Sequence, residues 1–211
     1  MSDETSDRVQ MLVDRVLQHD QEALAELFSM YRDRLWRMVK FRLDRRLHNR
    51  VDADDILQET YLAAVQRMDN FLHEANRSCF LWLRWITIQT MVDVHRRHLG
   101  TQKRDARKDR SIHGGWDSAS TSMSLSFHLL GHLTSPSNAA LRAELSEQVE
   151  AALAGMNDID REVLALRHFE ELTNGETAQV LQISEQAASV RYIRALSRLK
   201  TILKVAGFVE A

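Results

Sequence analysis

Residues 173–204 of this 211-residue chain read TNGETAQVLQISEQAASVRYIRALSRLKTILK, and they decide the fold. Thr173 and Glu176 have the capping-box spacing, in which a hydroxyl and a carboxylate each satisfy a backbone N–H at the start of a helix. That helix is short, because residues 182–184 break the pattern and Ser184 can cap a second, longer helix. Two helices joined in this way, the second long and basic, predict a helix-turn-helix.

The two faces of the longer helix differ in composition. Small and apolar residues recur at spacings of four, three and four, which predicts a buried stripe of Ala188, Tyr192, Ala195 and Leu199. The other face carries polar side chains with arginines around them, which suits the base edges and phosphates of a major groove. A solvated basic face on a packing helix is the plain alternative. We predict that DNA is bound by eight residues: Ser184, Gln186, Ser189, Val190, Arg191, Ile193, Arg194 and Arg198.

The turn between the two helices breaks one local rule. Gln182 occupies a position that usually favours glycine, because a left-handed backbone costs a non-glycine residue about 1–2 kcal/mol. Ala178 fits the point where the helices cross, since a larger side chain would hold them apart. The cost at Gln182 is small enough for the motif to form.

The composition of the whole chain predicts an all-α protein. One proline and seven glycines leave few turn formers, whereas helix-favouring residues are plentiful. Apolar residues make up 44% and charged residues 27%, as in globular proteins. The net charge of −2 gives no global basic character, so nucleic-acid binding must depend on local patches. The single cysteine, Cys79, excludes an internal disulfide and is expected to be buried.

The periodicity predicts two small helical domains joined by a flexible linker. Helical spacing of apolar residues covers 8–19, resumes after Asp20 and again after Asp52, and dominates 80–99, with a polar loop at 69–78. We assign residues 1–99 to a helical bundle. Residues 100–138 are polar and partly basic, which predicts the linker, and 139–211 form the second domain. Neither a signal peptide nor a membrane span is evident, so we expect a cytoplasmic protein.

Two separated segments resemble one protein family. Residues 52–62, DADDILQETYL, look like the signature of domain two in bacterial RNA polymerase sigma factors, and Trp82-Leu83 with Ile86, Asp93 and Arg96 resembles the helix that follows it. The segment from Arg161 through Leu196 resembles sigma domain four. The chain lacks room for a domain between them, and so it resembles the small extracytoplasmic-function (ECF) group.

The resemblance implies a sigma factor that binds core RNA polymerase and directs it to specific promoters. In that family the helix after Asp52 docks on the clamp helices of the largest polymerase subunit, and the flap is a further expected contact. The residues carried over to this role are Asp54, Asp55, Gln58 and Glu59. An acidic first turn that only stabilises its own helix dipole is the alternative, and both can hold together. An anti-sigma protein is a possible further partner.

The resemblance also implies that the loop at 69–78 and the next helix hold one strand of the minus-ten promoter element. The residues that we assign to this role are Asn76, Arg77, Arg84, Trp85, Gln89, Arg96 and Arg97. Family members often carry Asn at the position of Gln89. We expect Trp82 in the core and Trp85 on the opposite face, where it can stack on a base. The predicted helix-turn-helix would read the minus-thirty-five element, with Arg191 and Arg194 matching the family better than Ser189.

Other function classes have weaker support in the sequence. The histidine pairs 95/98 and 128/132 lack the partners of a zinc site, so no metal and no cofactor are expected. No phosphate loop or nucleophile elbow is present, which argues against an enzyme. The remaining alternative is a stand-alone helix-turn-helix regulator whose N-terminal bundle senses a signal or dimerises.

Overall fold

A computed structural model describes residues 2–48, 50–69, 78–99, 125 and 149–205 of the chain. These residues divide between two compact units, one within residues 1–106 and one within residues 107–211. The described residues form helices and turns and no strand, which confirms the all-α prediction. The predicted linker at 100–138 and the predicted domain start at 139 lie outside the described residues, apart from Leu125.

Unit 1 contains four α-helices and one short 3₁₀ turn among its described residues. They are α1 (Ser2–Val16), α2 (Gln21–Arg42), the 3₁₀ turn (Arg45–Leu47), α3 (Ala53–Gln66) and α4 (Cys79–Leu99). In unit 2, the described residues after Leu125 start with a helical segment at 149–154. It continues with α5 (Asp158–Leu164), a π-helical turn (Ala165–Phe169), α6 (Asn174–Leu181) and α7 (Glu185–Val205).

Local polar side chains start the helices of unit 1 where the sequence predicts. The Asp20 carboxylate accepts the backbone N–H groups of Glu22 and Ala23 at 2.9 and 3.1 Å, which satisfies two donors that the first turn of α2 leaves unpaired. Asp52 caps α3 in a capping box, with Asp55 answering from three residues later. These caps set the direction in which α2 and α3 leave their turns.

The core of unit 1 lies where α3 and α4 pack on α2. Its largest fully buried side chains include Trp82, Phe80, Leu27 and Met38, and Trp82 is 1% exposed, as predicted. Burial raises the pKa of the Cys79 thiol to about 12, so this side chain behaves as a small apolar group rather than as a reactive thiolate.

Unit 2 is built around the helix-turn-helix. Ala188 and Ala195 of the predicted stripe are 1% and 0% exposed and face α5, while Ala178 of α6 is 4% exposed. The turn between α6 and α7 has Gln182 at φ 54° and ψ 44°, the left-handed conformation that the sequence predicts. Tyr192 is only half-buried, and its hydroxyl lies 3.1 Å from Nε2 of His168.

Candidate polymerase and DNA interfaces

The solvent-facing side of α3 combines acidic, polar and apolar side chains. Asp55, Gln58 and Leu62 lie at helical spacings of three and four, so they share one exposed face, and Leu62 is 55% exposed. Leu62 is absent from the predicted site. Its position off the buried stripe of α3 is the signal that would have revealed it, because an apolar residue there cannot serve the core. We name Asp54, Asp55, Gln58, Glu59 and Leu62 the α3 face.

The acidic residues of the α3 face already have partners within unit 1. Asp54 forms an ion pair with Arg32 of α2, and Glu59 forms one with Arg97 of α4. In both pairs each side chain is about half exposed. The Asp55 carboxylate accepts the N–H of Asp52 at 3.3 Å, so this residue also caps its own helix. Exposed pairs of this kind are weak, so a partner protein can replace them.

The residues predicted to hold the minus-ten strand are separated by the structure into three groups. Asn76 and Arg77 lie outside the described residues. Arg84 requires a correction, because it is 6% exposed and lies in the core of unit 1. The physical reason is that α4 is apolar on nearly all sides at this level, with Phe80, Leu81 and Leu83 also buried, and no turn of the helix there faces solvent. Arg84 therefore offers little exposed surface for its predicted contact with DNA.

The third group consists of Trp85, Gln89, Arg96 and Arg97, and a cleft between α3 and α4 brings two of them together. Its volume is about 290 Å³, and it is lined by Glu59, Ala63, Arg67, Gln89, Thr90, Asp93 and Arg97. Gln89 and Arg97, both predicted from the sequence, therefore meet at one place. Arg96 is exposed, and its Nη1 lies 3.7 Å from Oδ1 of Asp93. Trp85 is half-buried, and the Arg67 guanidinium lies 5.7 Å from its ring centroid.

One exposed strip of α7 carries four of the eight residues predicted to bind DNA. Gln186, Ser189, Val190 and Ile193 follow one another at spacings of three, one and three, so they form one strip along the helix. Val190 is 57% and Ile193 66% exposed, which is unusual for β-branched apolar residues. We name these four residues the reading strip. Ser184 precedes them, and its Oγ accepts the N–H of Ala187 at 3.1 Å, so it caps α7.

The arginines of α7 form a second strip beside the first, and all three contact unit 2 itself. Arg194 donates from Nε and Nη2 to the two carboxylate oxygens of Asp160 at 3.0 and 2.7 Å. Arg191 donates from Nη1 to the same carboxylate at 3.3 Å. One turn further on, Arg198 Nη2 lies 3.3 Å from the carbonyl oxygen of Gly155. The predicted DNA ligands Arg191, Arg194 and Arg198 are therefore held towards their own unit.

Asp160 is the residue that sequence reasoning missed in this region. Its side chain is 2% exposed. Burial alone would raise the pKa of this carboxyl group, but hydrogen bonds and charges from Arg194 and Arg191 outweigh it, and the pKa lies below its usual value. The carboxylate is thus ionised when folded. No local sequence pattern predicts the role of Asp160, because its partners lie more than thirty residues later in the chain.

The neighbouring residue, Arg161, is also buried and supports the entry to α5. Its Nη1 donates to the carbonyl oxygens of Leu153 and Met156 at 2.7 Å, and to that of Ala154 at 2.9 Å. Leu153 and Ala154 end the helical segment at 149–154 and Met156 follows it, so the guanidinium supplements the few backbone donors left at this helix end, such as the N–H of Met156 that reaches the Leu153 carbonyl at 3.0 Å. A buried guanidinium thus joins this segment to α5.

The described residues show no helix long and apolar enough to cross a membrane. They also contain no group of three or more histidine, cysteine, aspartate or glutamate side chains that could hold a metal ion.

The sequence matches the family model described as "ECF sigma factor" over residues 6–204. The chain belongs to the ECF sigma factor family. It is therefore a sigma factor, which directs RNA polymerase to promoters and binds both core polymerase and promoter DNA. Sigma factors are initiation factors rather than enzymes. Family membership favours this function over a stand-alone regulator.

Curated relatives of this sigma factor match over nearly the whole chain. It is 24% identical over 192 residues to the ECF RNA polymerase sigma factor SigW of Bacillus subtilis, covering 91% of this chain and 95% of SigW. It is 26% identical over 204 residues to the RNA polymerase sigma-H factor of Pseudomonas aeruginosa, covering 95% of this chain and 96% of that protein.

A solved structure supports the fold of this sigma factor. CnrH, determined in complex with the cytosolic domain of CnrY, aligns with a TM-score of 0.53 and 21% identity. The alignment covers 94% of this chain and 98% of CnrH.

Proposed function

We propose that the sigma factor divides its task between the α3 face, which binds core polymerase, the α3–α4 cleft, which meets the minus-ten element, and α7, which reads the minus-thirty-five element. The observation that carries this proposal is that α3 and α7 each expose apolar side chains among polar ones without packing them against their own unit. Exposed apolar residues beside exchangeable charges are typical of protein interfaces.

The α3 face suits a basic partner surface. Asp55 and Gln58 precede the exposed Leu62 on one face of the helix, and the ion pairs of Asp54 and Glu59 lie beside them at the surface. A leucine buried at the centre of a contact gives affinity, and acids around it guide the encounter with a cationic partner. Clamp helices of the polymerase are the partner that we infer.

An isosteric substitution tests this assignment without disturbing the helix. Asp55→Asn removes the charge but keeps a side chain that caps helices well. We expect a several-fold loss of affinity for core polymerase with an unchanged melting temperature. Asp14→Asn, which removes an exposed acid from α1, is the matched control and should leave affinity unchanged. Equal affinities for both variants would refute the assignment of Asp55.

The α3–α4 cleft suits the minus-ten strand because it joins amide and cationic groups. Gln89 offers a donor and an acceptor for a base edge, and Arg97 and Arg67 offer positive charge for phosphates. Trp85 and the exposed Arg96 extend the proposed contact surface along α4. Gln89→Ala should slow promoter opening while core binding stays intact, as measured by permanganate footprinting of the melted region. Normal opening would remove Gln89 from the site.

Transcription from defined components tests the whole division of tasks. Core polymerase with the purified sigma factor should produce run-off transcripts from some members of a pool of genomic promoters, whereas core polymerase alone should not. The isolated factor should bind the same DNA weakly, since the net charge of −2 gives little general attraction to phosphates. A failure to stimulate core polymerase on every promoter would contradict the proposal.

We also infer that the factor works in the cytoplasm and accepts a regulatory protein of the anti-sigma type. The fold of CnrH, solved with the cytosolic domain of CnrY bound, supports this part of the proposal. Transcription with the purified factor, compared with transcription after co-expression with candidate regulators from adjacent genes, tests it. Inhibition that a regulator exerts on this factor and not on a housekeeping sigma factor is the expected result.

A further inference from the structure

The reading strip of α7 carries no charged side chain. It consists of one amide (Gln186), one hydroxyl (Ser189) and two apolar side chains, Val190 and Ile193, which are the most exposed large hydrophobic residues of the described chain. In the major groove, glutamine pairs with adenine through N6 and N7, and apolar side chains contact the methyl group of thymine. The chemistry of this strip therefore favours A·T pairs.

The side chain that most often reads guanine is absent from the strip and engaged elsewhere. Arginine reads guanine by a bidentate contact to O6 and N7. In Arg194 the bidentate edge formed by Nε and Nη2 is already bound to Asp160. Arg191 donates to the same carboxylate, which is 2% exposed. Removing both arginines would leave a buried carboxylate without a partner, which is costly.

The remaining donors of these arginines point to a different task. Arg194 is 55% and Arg191 29% exposed although both are held at one end, so each keeps N–H groups that solvent can reach. Phosphate contacts need charge near the groove wall but no sequence-specific edge. Arginines fixed by Asp160 supply that charge at a constant position.

We propose that this sigma factor reads its upstream promoter element through adenine edges and thymine methyl groups, and that Asp160 is a positioning residue that keeps Arg191 and Arg194 on phosphates and away from guanine. This inference rests on the assignment of α7 as the upstream reader. It adds the class of sequence that α7 prefers and the residue that sets the preference.

Selection with the holoenzyme tests the sequence class. A promoter library with a randomised upstream element is bound by polymerase carrying the full-length factor, and the retained DNA is sequenced. We expect enrichment of A·T pairs at the positions that α7 covers. Replacement of an enriched thymine by uracil, which lacks the methyl group, should weaken binding about fourfold. Ile193→Ala, a change at an exposed position, should abolish the difference between thymine and uracil.

Two variants test the role of Asp160. Asp160→Asn weakens the hold on both arginines, so selection should now admit guanine, and the dependence of binding on salt should become shallower by about one unit for each phosphate contact that an arginine gives up. Arg194→Gln should leave the fold intact, because Arg191 still donates to the buried Asp160 carboxylate. In the wild-type background it should weaken binding for all sequences alike and leave the selected element unchanged.

Different outcomes would overturn the proposed base preference and the assignment of α7 as the upstream reader. A guanine enriched by the wild-type factor and lost with Arg194→Gln would overturn the inference, and so would equal binding of thymine and uracil. If no variant of the reading strip or of Asp160 altered the upstream preference while run-off transcription persisted, the assignment of α7 itself would be wrong.

Discussion

The α3 face and α7 both carry charges beside exposed apolar side chains, but they hold those charges in different ways. On α3, Asp54 and Glu59 pair with arginines that are themselves about half exposed. On α7, Arg191 and Arg194 pair with a carboxylate that is 2% exposed. A surface pair contributes little and exchanges readily, whereas a pair with one buried member is expensive to break. The α3 face is thus built to change partners, and α7 to keep them.

The largest expected effect tests whether the charges of α7 are fixed. Asp160→Ala removes a buried carboxylate that accepts three hydrogen bonds and should lower the free energy of unfolding of unit 2 by about 2–3 kcal/mol. Glu59→Ala removes an acid from an exposed pair and should leave the stability of unit 1 close to wild type. Chemical denaturation followed by circular dichroism measures both. Equal losses for the two variants would remove the contrast between α3 and α7.

Acidification tests the contribution of the Asp160 charge without removing the whole side chain. The pKa of Asp160 is lowered in the folded protein, so its contribution to stability is complete above the ordinary value of 3.8 and is lost as the pH falls through the folded pKa. The stability difference between wild type and Asp160→Asn should therefore be constant at neutral pH and shrink below 3.8. Denaturant titrations at a series of pH values check this. A difference that persists at the lowest pH would show that the amide costs stability through its shape and not through its lack of charge.

Affinity for core polymerase tests the apolar centre of the α3 face. Leu62→Ala should weaken binding about fivefold, because the leucine loses apolar surface that the partner would bury. Met11→Ala on α1 is the matched control, since Met11 is 56% and Leu62 55% exposed. Titration of labelled factor with core polymerase measures both variants. If Met11→Ala weakened binding as much as Leu62→Ala, the docking surface would not be centred on α3.

The smallest expected effect concerns the backbone that fixes α7. Gln182 ends α6 at φ 54°, so Gln182→Gly should relieve strain and stabilise unit 2 by about 0.5–1 kcal/mol after the entropy of glycine is subtracted. Arg67 ends α3 at φ −110°, where glycine brings no relief, and Arg67→Gly should be destabilising. Thermal melting distinguishes the two. A loss of stability in Gln182→Gly would mean that the glutamine side chain compensates its own strain.

Features that depend on neighbours in the chain could be predicted from the sequence. Asp20, Asp52 and Thr173 start helices because a short polar side chain satisfies backbone donors two or three residues later, and this chemistry is visible in the sequence. The left-handed turn at Gln182 follows from its place between two helices of fixed spacing. Periodicity correctly predicts that Ala188 and Ala195 of α7 are buried, whereas Tyr192 and Leu199 of the same stripe are only half-buried.

Features that depend on tertiary partners could not be predicted in this way. Arg84 has the side chain of a DNA contact, but its burial depends on how α4 packs into unit 1. The pairing of Asp160 with Arg191 and Arg194 joins residues more than thirty positions apart. Periodicity predicts which face of a helix is buried, but it does not predict which residues pack against that face. For the same reason, the sequence is enough to predict that α7 binds DNA, but it is not enough to predict which side chains of α7 reach bases.

The separation of α7 into two strips has a consequence for how promoter preference can change over time. The residues that hold α7 on α5 and those of the reading strip occupy separate strips of one helix, so a substitution in the reading strip leaves the contacts of Asp160 in place. Variation at four positions can then explore new target sequences at little cost in folding. Such a helix lets duplicated copies of one gene diverge towards separate sets of promoters while they keep a common scaffold.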